Sequence, residues 1–222
     1  MRYRKVAASV SLILARTRNK VSAGLCALVV AVSLISIGIP TISYAVILVL
    51  TATEDSTILD GNNANNLFPG LLASELGTSG PGSIWLSILK FDLSPLTGMT
   101  VNSATLELTS IFNHNSGTFV HEVYSSSDDS WTEGTVTGVN RPGDATLTLL
   151  GSTHISGTSQ AYTWDVLAGV VGADGLAGAG NVLTLIIRPE LSQAGNAFGP
   201  HFNDRESLSG FPRLLAMLQR LL

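Results

Sequence analysis

Short apolar and β-branched runs alternate with clusters of turn residues along most of the chain. They predict strands at Val46–Thr53, Ile84–Phe91, Ala104–Ile111, Phe119–Tyr124, Ala145–Leu150, Ala161–Trp164, Val182–Arg188, His201–Asn203 and Leu214–Leu218. Thr105-Leu106-Glu107-Leu108-Thr109 alternates apolar with polar, as a strand with one buried face must. Breaker-rich loops separate the runs: Asp60-Gly61-Asn62-Asn63, residues 77–82, 113–117, Asn140-Arg141-Pro142-Gly143 and 192–199. One segment reads as a helix, with Asp165 capping its first turn and Val166, Leu167, Val170 and Val171 sharing a face. Gly172 and Gly175 end it. Many short strands and one helix in a single domain predict an all-β fold, a jelly-roll-like antiparallel β-sandwich with one short helix.

The pattern changes before the first strand. Residues 1–45 carry six Lys or Arg and no acidic residue, then an apolar run from Val21 to Ile39, Pro40, and Ser43-Tyr44-Ala45. A basic start, an apolar middle and a small-residue exit predict a secretory signal peptide cut after Ala45, leaving 46–222 as the domain. The alternative is an uncleaved anchor, because apolar character resumes at Val46 to Leu50 and about 20 apolar residues span a bilayer. Membrane contact is expected only in that case. Either way the domain is secreted or held at the cell surface. Cys26, the single cysteine, lies inside this segment, so the domain has no disulfide framework and no thiolate metal site. Leu25 directly before it breaks the lipoprotein pattern.

Removing the segment leaves six basic and sixteen acidic residues, a net charge of −10. No basic patch remains to attract nucleic acid. Catalytic signals are equally thin. No Gly-x-Ser-x-Gly occurs, and His114, His121, His154 and His201 are scattered without metal-ligand spacing. Glu133 and Asp165 could serve as paired carboxylates, but nothing selects them over other acidic residues. The chain is not expected to be an enzyme.

Four motifs in register carry a resemblance. They are Leu89-Lys90-Phe91-Asp92-Leu93-Ser94-Pro95-Leu96, running on into Val101-Asn102-Ser103-Ala104-Thr105-Leu106-Glu107-Leu108; Ser130-Trp131-Thr132-Glu133-Gly134-Thr135-Val136-Thr137; Tyr162-Thr163-Trp164-Asp165-Val166; and Phe202-Asn203-Asp204-Arg205-Glu206-Ser207, followed by Phe211-Pro212-Arg213-Leu214-Leu215. Together, from Leu50 to Gln219, they resemble the DNRLRE-domain family, also known through disaggregatase-related repeats and an alginate-associated carbohydrate-binding module family. The resemblance implies an extracellular β-sandwich that binds polysaccharide or builds cell-surface material, without catalysis. Uronate polymers are the family's best-known ligand. A domain of charge −10 repels a polyanion, so a neutral or calcium-bridged glycan is equally open. The alternative role is a structural cell-surface or extracellular-matrix protein that self-associates.

Candidate residues follow from the same motifs. Trp131 reads either as a stacking platform for a sugar ring or as a buried anchor, and the anchor is expected, with Glu133 accepting backbone N–H bonds in the Thr132–Thr137 turn. Trp164 is expected to pack inward beside Asp165, and Glu206 to fix Arg205 in a bidentate pair. Ligand contacts are expected from His201, Asn203 and Arg205, with the strands of Lys90 and Arg188 the next place to look. Asp55, Asp60 and Asn62 supply hard oxygens for a structural calcium near the first loop.

Overall fold

In the computed structural model, the described residues are 43–60, 64–68, 72–76, 84–113, 118–178, 180–191 and 199–221. The chain divides into units of residues 1–40 and 41–222, and every described residue lies in the second. The predicted signal peptide therefore falls outside the described residues, save for its last three positions. Those three, Ser43 to Ala45, are paired within the first strand.

Two six-stranded antiparallel sheets face each other. The first runs β1 (Ser43–Thr51), β12 (Arg213–Leu221), β6 (Thr100–Asn113), β11 (Pro200–Phe202) and β3 (Leu72–Ala73), with β9 (Gln160–Asp165) also pairing with β6. The second runs β2 (Glu54–Asp60), β5 (Ile84–Asp92), β10 (Val182–Pro189), β7 (Phe119–Ser126) and β8 (Leu147–Ile155), with β4 (Glu75–Leu76) also on β5. The long strands lie in the order β1-β12-β6-β9 opposite β5-β10-β7-β8. The chain thus crosses between sheets at nearly every step, as in a jelly roll. The helix α1 (Leu167–Val171) follows β9, and Asp165 Oδ1 accepts the Leu167 N–H at 2.9 Å at its start.

Alternation along β6 explains the main core. Val101, Ala104, Leu106 and Leu108 turn inward, against Leu89 and Phe91 of β5 and Leu183, Leu185 and Ile187 of β10. Trp164 of β9 is buried among them, edge-to-face with Phe202 at 6.3 Å, and its indole N–H donates to the His121 carbonyl of the opposite sheet at 3.0 Å. That bond ties the two sheets together.

A second core lies on the outer face of the second sheet. Ile58, Leu86, Ile88 and Ile186 point away from the sandwich interior, and the β7–β8 connection, residues 127–146, folds across them with Trp131 and Val136. Strands β2 and β5 are consequently buried on both faces; β5 carries a near-continuous apolar run rather than alternation, whereas β2 is apolar only at Ile58 and Leu59. The connection approaches β2 closely at Gly138, where a Cβ would sit 2.3 Å from the Leu59 carbonyl oxygen. Only glycine fits there.

Several predicted boundaries change. Val46–Thr53 is not one strand: β1 stops at Thr51, and β2 begins at Glu54 in the opposite sheet. The predicted Ala145–Leu150 strand starts at Leu147 and runs to Ile155, because Asp144–Thr146 is a 3₁₀ turn. The short strands β3 and β4 carry no long apolar run and have no counterpart in the sequence reading.

His121 on β7 is fully buried, with Nε2 3.0 Å from the Ser74 carbonyl oxygen and Nδ1 3.4 Å from that of Phe119. Burial pushes the ring down to about 4, outweighing the two carbonyls and the Glu75 charge that would raise it. The ring is therefore neutral in the folded protein. Its contribution to stability is intact above the unfolded value of about 6.5 and is lost as pH falls toward 4, amounting to about 3 kcal/mol. Nuclear magnetic resonance should show the His121 ring titrating near pH 4 or not before acid unfolding; titration near 6.5 would contradict the burial.

Candidate functional site

Two constellations gather the polar chemistry among the described residues. The first is built around Arg205, in the loop that leaves β11 and returns to the same sheet as β12. Its backbone N–H donates to Asp55 Oδ2 at 2.7 Å. Its guanidinium donates to the Thr53 carbonyl at 3.0 Å and pairs with Glu133 and Glu206, each at 2.8 Å. One residue thereby joins the start of β2, the loop that covers the second sheet, and its own loop. The guanidinium is a planar fork that can meet several oxygens at once.

Glu54 extends this cluster. Its carboxylate accepts from Lys90 Nζ at 2.8 Å and from the Glu133 N–H at 2.7 Å. Burial alone would raise Glu54, but those two hydrogen bonds hold it below the usual carboxylate value. Lys90 is buried, also donates to the Trp131 carbonyl, and lies 4.5 Å from the centre of the Trp131 ring. It is not presented to a ligand; the fold uses its charge to hold the loop. Trp131 itself is 5 % exposed and donates its indole N–H to Thr184 Oγ1 at 2.9 Å. At the far end of the loop, Arg141 grips Asp60 with two hydrogen bonds of 3.0 and 2.8 Å.

These placements revise several expectations. The Glu133 carboxylate meets Arg205 rather than the N–H groups of its own turn, because the loop lies flat against β2 and brings the two into reach. Asp55 and Asp60 do not form one calcium loop. Both lie on β2, five positions apart and hence on opposite faces, and Asp60 is taken up by Arg141. Asn62 lies outside the described residues. Arg188 lies 4.1 Å over the Tyr124 ring, donates to the Tyr124 hydroxyl at 2.6 Å and faces Glu122 at 3.7 Å, so its exposure is small. Asn203 donates to the Ser209 carbonyl at 3.0 Å, and its N–H bonds the Thr109 carbonyl, which makes it a loop pin. Gly210, at φ +68°, closes that loop, and a Cβ there would sit 2.6 Å from Asn203 Nδ2.

The second constellation is an edge of the sandwich near one margin of the first sheet, where the end of β6 meets β11 and β11 in turn meets the two-residue β3. His201 pairs with Phe112 and Phe202 with Ser110, so Ile111 is an extra residue on β6. The bulge breaks the in-out alternation and turns both Ile111 and Phe112 to solvent, at 50 % and 46 % exposure. The Phe112 ring meets the His201 ring edge-on at 5.6 Å. His201 Nε2 lies 2.8 Å from Glu75 Oε1, and β4 holds Glu75 in place beside β5. An exposed aromatic face thus stands next to a paired imidazole and carboxylate. Sugars are held in this way, their C–H faces on aromatic rings and their hydroxyls on planar polar groups. Of this edge the sequence reading named only His201. Phe112 was legible as the second of two adjacent apolar residues that break the alternation of β6; Glu75, in a short polar strand, left no signal.

A cleft of 580 Å³ opens elsewhere, beside Val46, Met99 and Leu218, and none of the described residues that line it is charged. No described helix is long and apolar enough to cross a membrane.

Residues 47–215 match the sequence model of carbohydrate-binding module family 96. The chain belongs to that family. Family 96 modules bind carbohydrate and are non-catalytic, in agreement with the absence of a catalytic signal in the sequence. No curated protein matches the chain. Among solved structures, the K1 cleaved adhesin domain of Lys-gingipain from Porphyromonas gingivalis aligns over 82 % of this chain and 99 % of its own, with 12 % identity. The TM-score of 0.28 is too low for that likeness to carry an argument.

Proposed function

We propose that this family 96 module is exported and recognises an extracellular polysaccharide through the edge formed by Phe112, His201 and Glu75. The observation that carries the carbohydrate role is the family match over residues 47–215. The choice of edge rests on Phe112, a large ring left half exposed beside the His201 imidazole, which the buried Glu75 carboxylate holds in place. A neutral glycan suits the site better than a uronate polymer. The edge presents an aromatic face and an imidazole held by a buried carboxylate, and residues 46–222 carry −10. The test is a polysaccharide array probed with the full chain, covering neutral and uronate polymers with and without calcium. Binding to at least one neutral glycan is expected; retention of uronate polymers alone would overturn the ligand class, and no retention at all would overturn the role.

One observation favours self-association as a second reading. Among the described strands β1 is an edge, and Val46, Ile47 and Val49 on it are exposed at 48 %, 65 % and 46 %. Such an edge is a template for pairing with another chain. Light scattering across a concentration series separates the two readings, since only self-association gives a mass that grows with concentration.

A further inference from the structure

Asp55 is the most deeply buried acidic side chain among the described residues. It is 0 % exposed, and its Oδ1 has no hydrogen-bond partner, while Oδ2 accepts the Arg205 N–H. A buried polar atom without a partner needs an explanation, and a bound ion is one. Around it stand Glu133 and Glu206. One carboxylate oxygen of each of the three residues lies within 4.8 Å of one oxygen of each of the others.

The hydrogen bonds already made divide these carboxylates evenly. Asp55 uses Oδ2 on the Arg205 backbone, Glu133 uses Oε2 on Nη2, and Glu206 uses Oε1 on Nε. Each carboxylate therefore keeps a second oxygen. The charges do not balance either: with all three ionised, these carboxylates face one guanidinium at a net −2, and the Glu54–Lys90 pair beside them is neutral. Burial pushes the Asp55 carboxyl up to about 7; the Arg205 N–H opposes this, and the charges of Glu206, Glu133 and Asp204 add to it.

We propose that Asp55, Glu133 and Glu206 hold a divalent cation of the calcium type. All three donors are hard oxygens, which suit calcium and exclude a zinc-like preference for nitrogen and sulfur. Oxygens bound to one calcium at about 2.4 Å lie no more than about 4.8 Å apart, the spacing found here. A charge of +2 cancels the cluster, and Asp55 Oδ1 gains its partner. The cation would fasten the Arg205 loop and the Trp131 loop onto β2. This site is distinct from the Phe112 edge, so the two proposals stand or fall separately.

The test uses the full chain stripped of divalent cations with a chelator, then titrated with calcium chloride. Calorimetry should show about one equivalent bound, and the melting temperature should rise with calcium concentration. Asp55→Asn should weaken calcium at least tenfold, yet melt in chelator at or above the wild-type temperature, because the amide removes an uncompensated charge. That combination is not expected of a residue whose role is only structural. Glu206→Gln, at an exposed position, should weaken calcium while leaving the cation-free melting temperature unchanged, and it decides the matter if Asp55→Asn fails to fold. Absence of heat and of any melting shift up to about 10 mM calcium, beyond the about 1 mM of weak extracellular modules, would overturn the proposal. Wild-type calcium affinity in either variant would overturn it too.

Discussion

Trp131→Ala is expected to lower the stability of the domain by about 3–5 kcal/mol, the range for removing a large buried aromatic. The indole is the main cover of a second core that would otherwise open Ile58, Leu86, Ile88 and Ile186 to water. Its loss also deprives Thr184 of a hydrogen bond and Lys90 of the ring it lies over. The loss is too large to be absorbed by relaxation, because the loop is held at both ends, by Glu54 and Lys90 near Trp131 and by the Arg141–Asp60 pair. For a domain of this size it corresponds to a fall in melting temperature of roughly 10–15 °C. Calorimetry or circular dichroism reads it directly. A variant melting with the wild type would show that the second core does not depend on this ring.

Arg205→Gln carries the other large effect, about 2–3 kcal/mol when measured by urea denaturation in chelator. Breaking a buried ion pair from one side costs about 3–5 kcal/mol, and the figure is reduced here because the Arg205 side chain is 36 % exposed. The substitution leaves Asp55, Glu133 and Glu206 facing one another without a counter-charge and frees the Thr53 carbonyl. Arg205→Lys should recover little of the loss. An ammonium is a point charge and cannot reach Thr53, Glu133 and Glu206 together as the planar guanidinium does. Full rescue by lysine would show that charge alone, not the fork, holds the three segments.

The sandwich was legible because its long strands obey simple periodicity. Thr105 to Thr109 alternates, and β5 and β10 are apolar runs bounded by turns, so these strands followed from residue pattern alone. What the pattern hid was β2. Glu54-Asp55 at its head and Asp60 at its tail look like loop residues, and only the distant partners Lys90, Arg205 and Arg141 make those charges tolerable in a strand. Those partners are 36, 150 and 81 residues away along the chain, beyond the reach of any local reading. The covering of the second sheet was hidden for the same reason. Buried Trp131 was expected, but not that it closes an outer face rather than the space between sheets. The carbohydrate-binding family was legible from four motifs, and the match over residues 47–215 agrees with it at that level.

The two constellations differ in what the sequence could say of them. Arg205 and Glu206 are adjacent, so their pairing could be read; that Asp55 and Glu133 join them depends on topology. At the edge, His201 was visible beside Phe202, whose burial points the imidazole outward. Glu75 and Phe112 reach it from strands far apart in sequence.

The measurement that bears most directly on the glycan-binding edge is isothermal titration of the array-identified glycan against wild type and Phe112→Ala. Phe112 is half exposed and outside both cores, so its loss should leave stability within about 0.5 kcal/mol of wild type. Removing the stacking face should weaken binding at least about tenfold, or 1.4 kcal/mol. Unchanged affinity in the folded Phe112→Ala variant would contradict the assignment and place the glycan on another face of the sandwich.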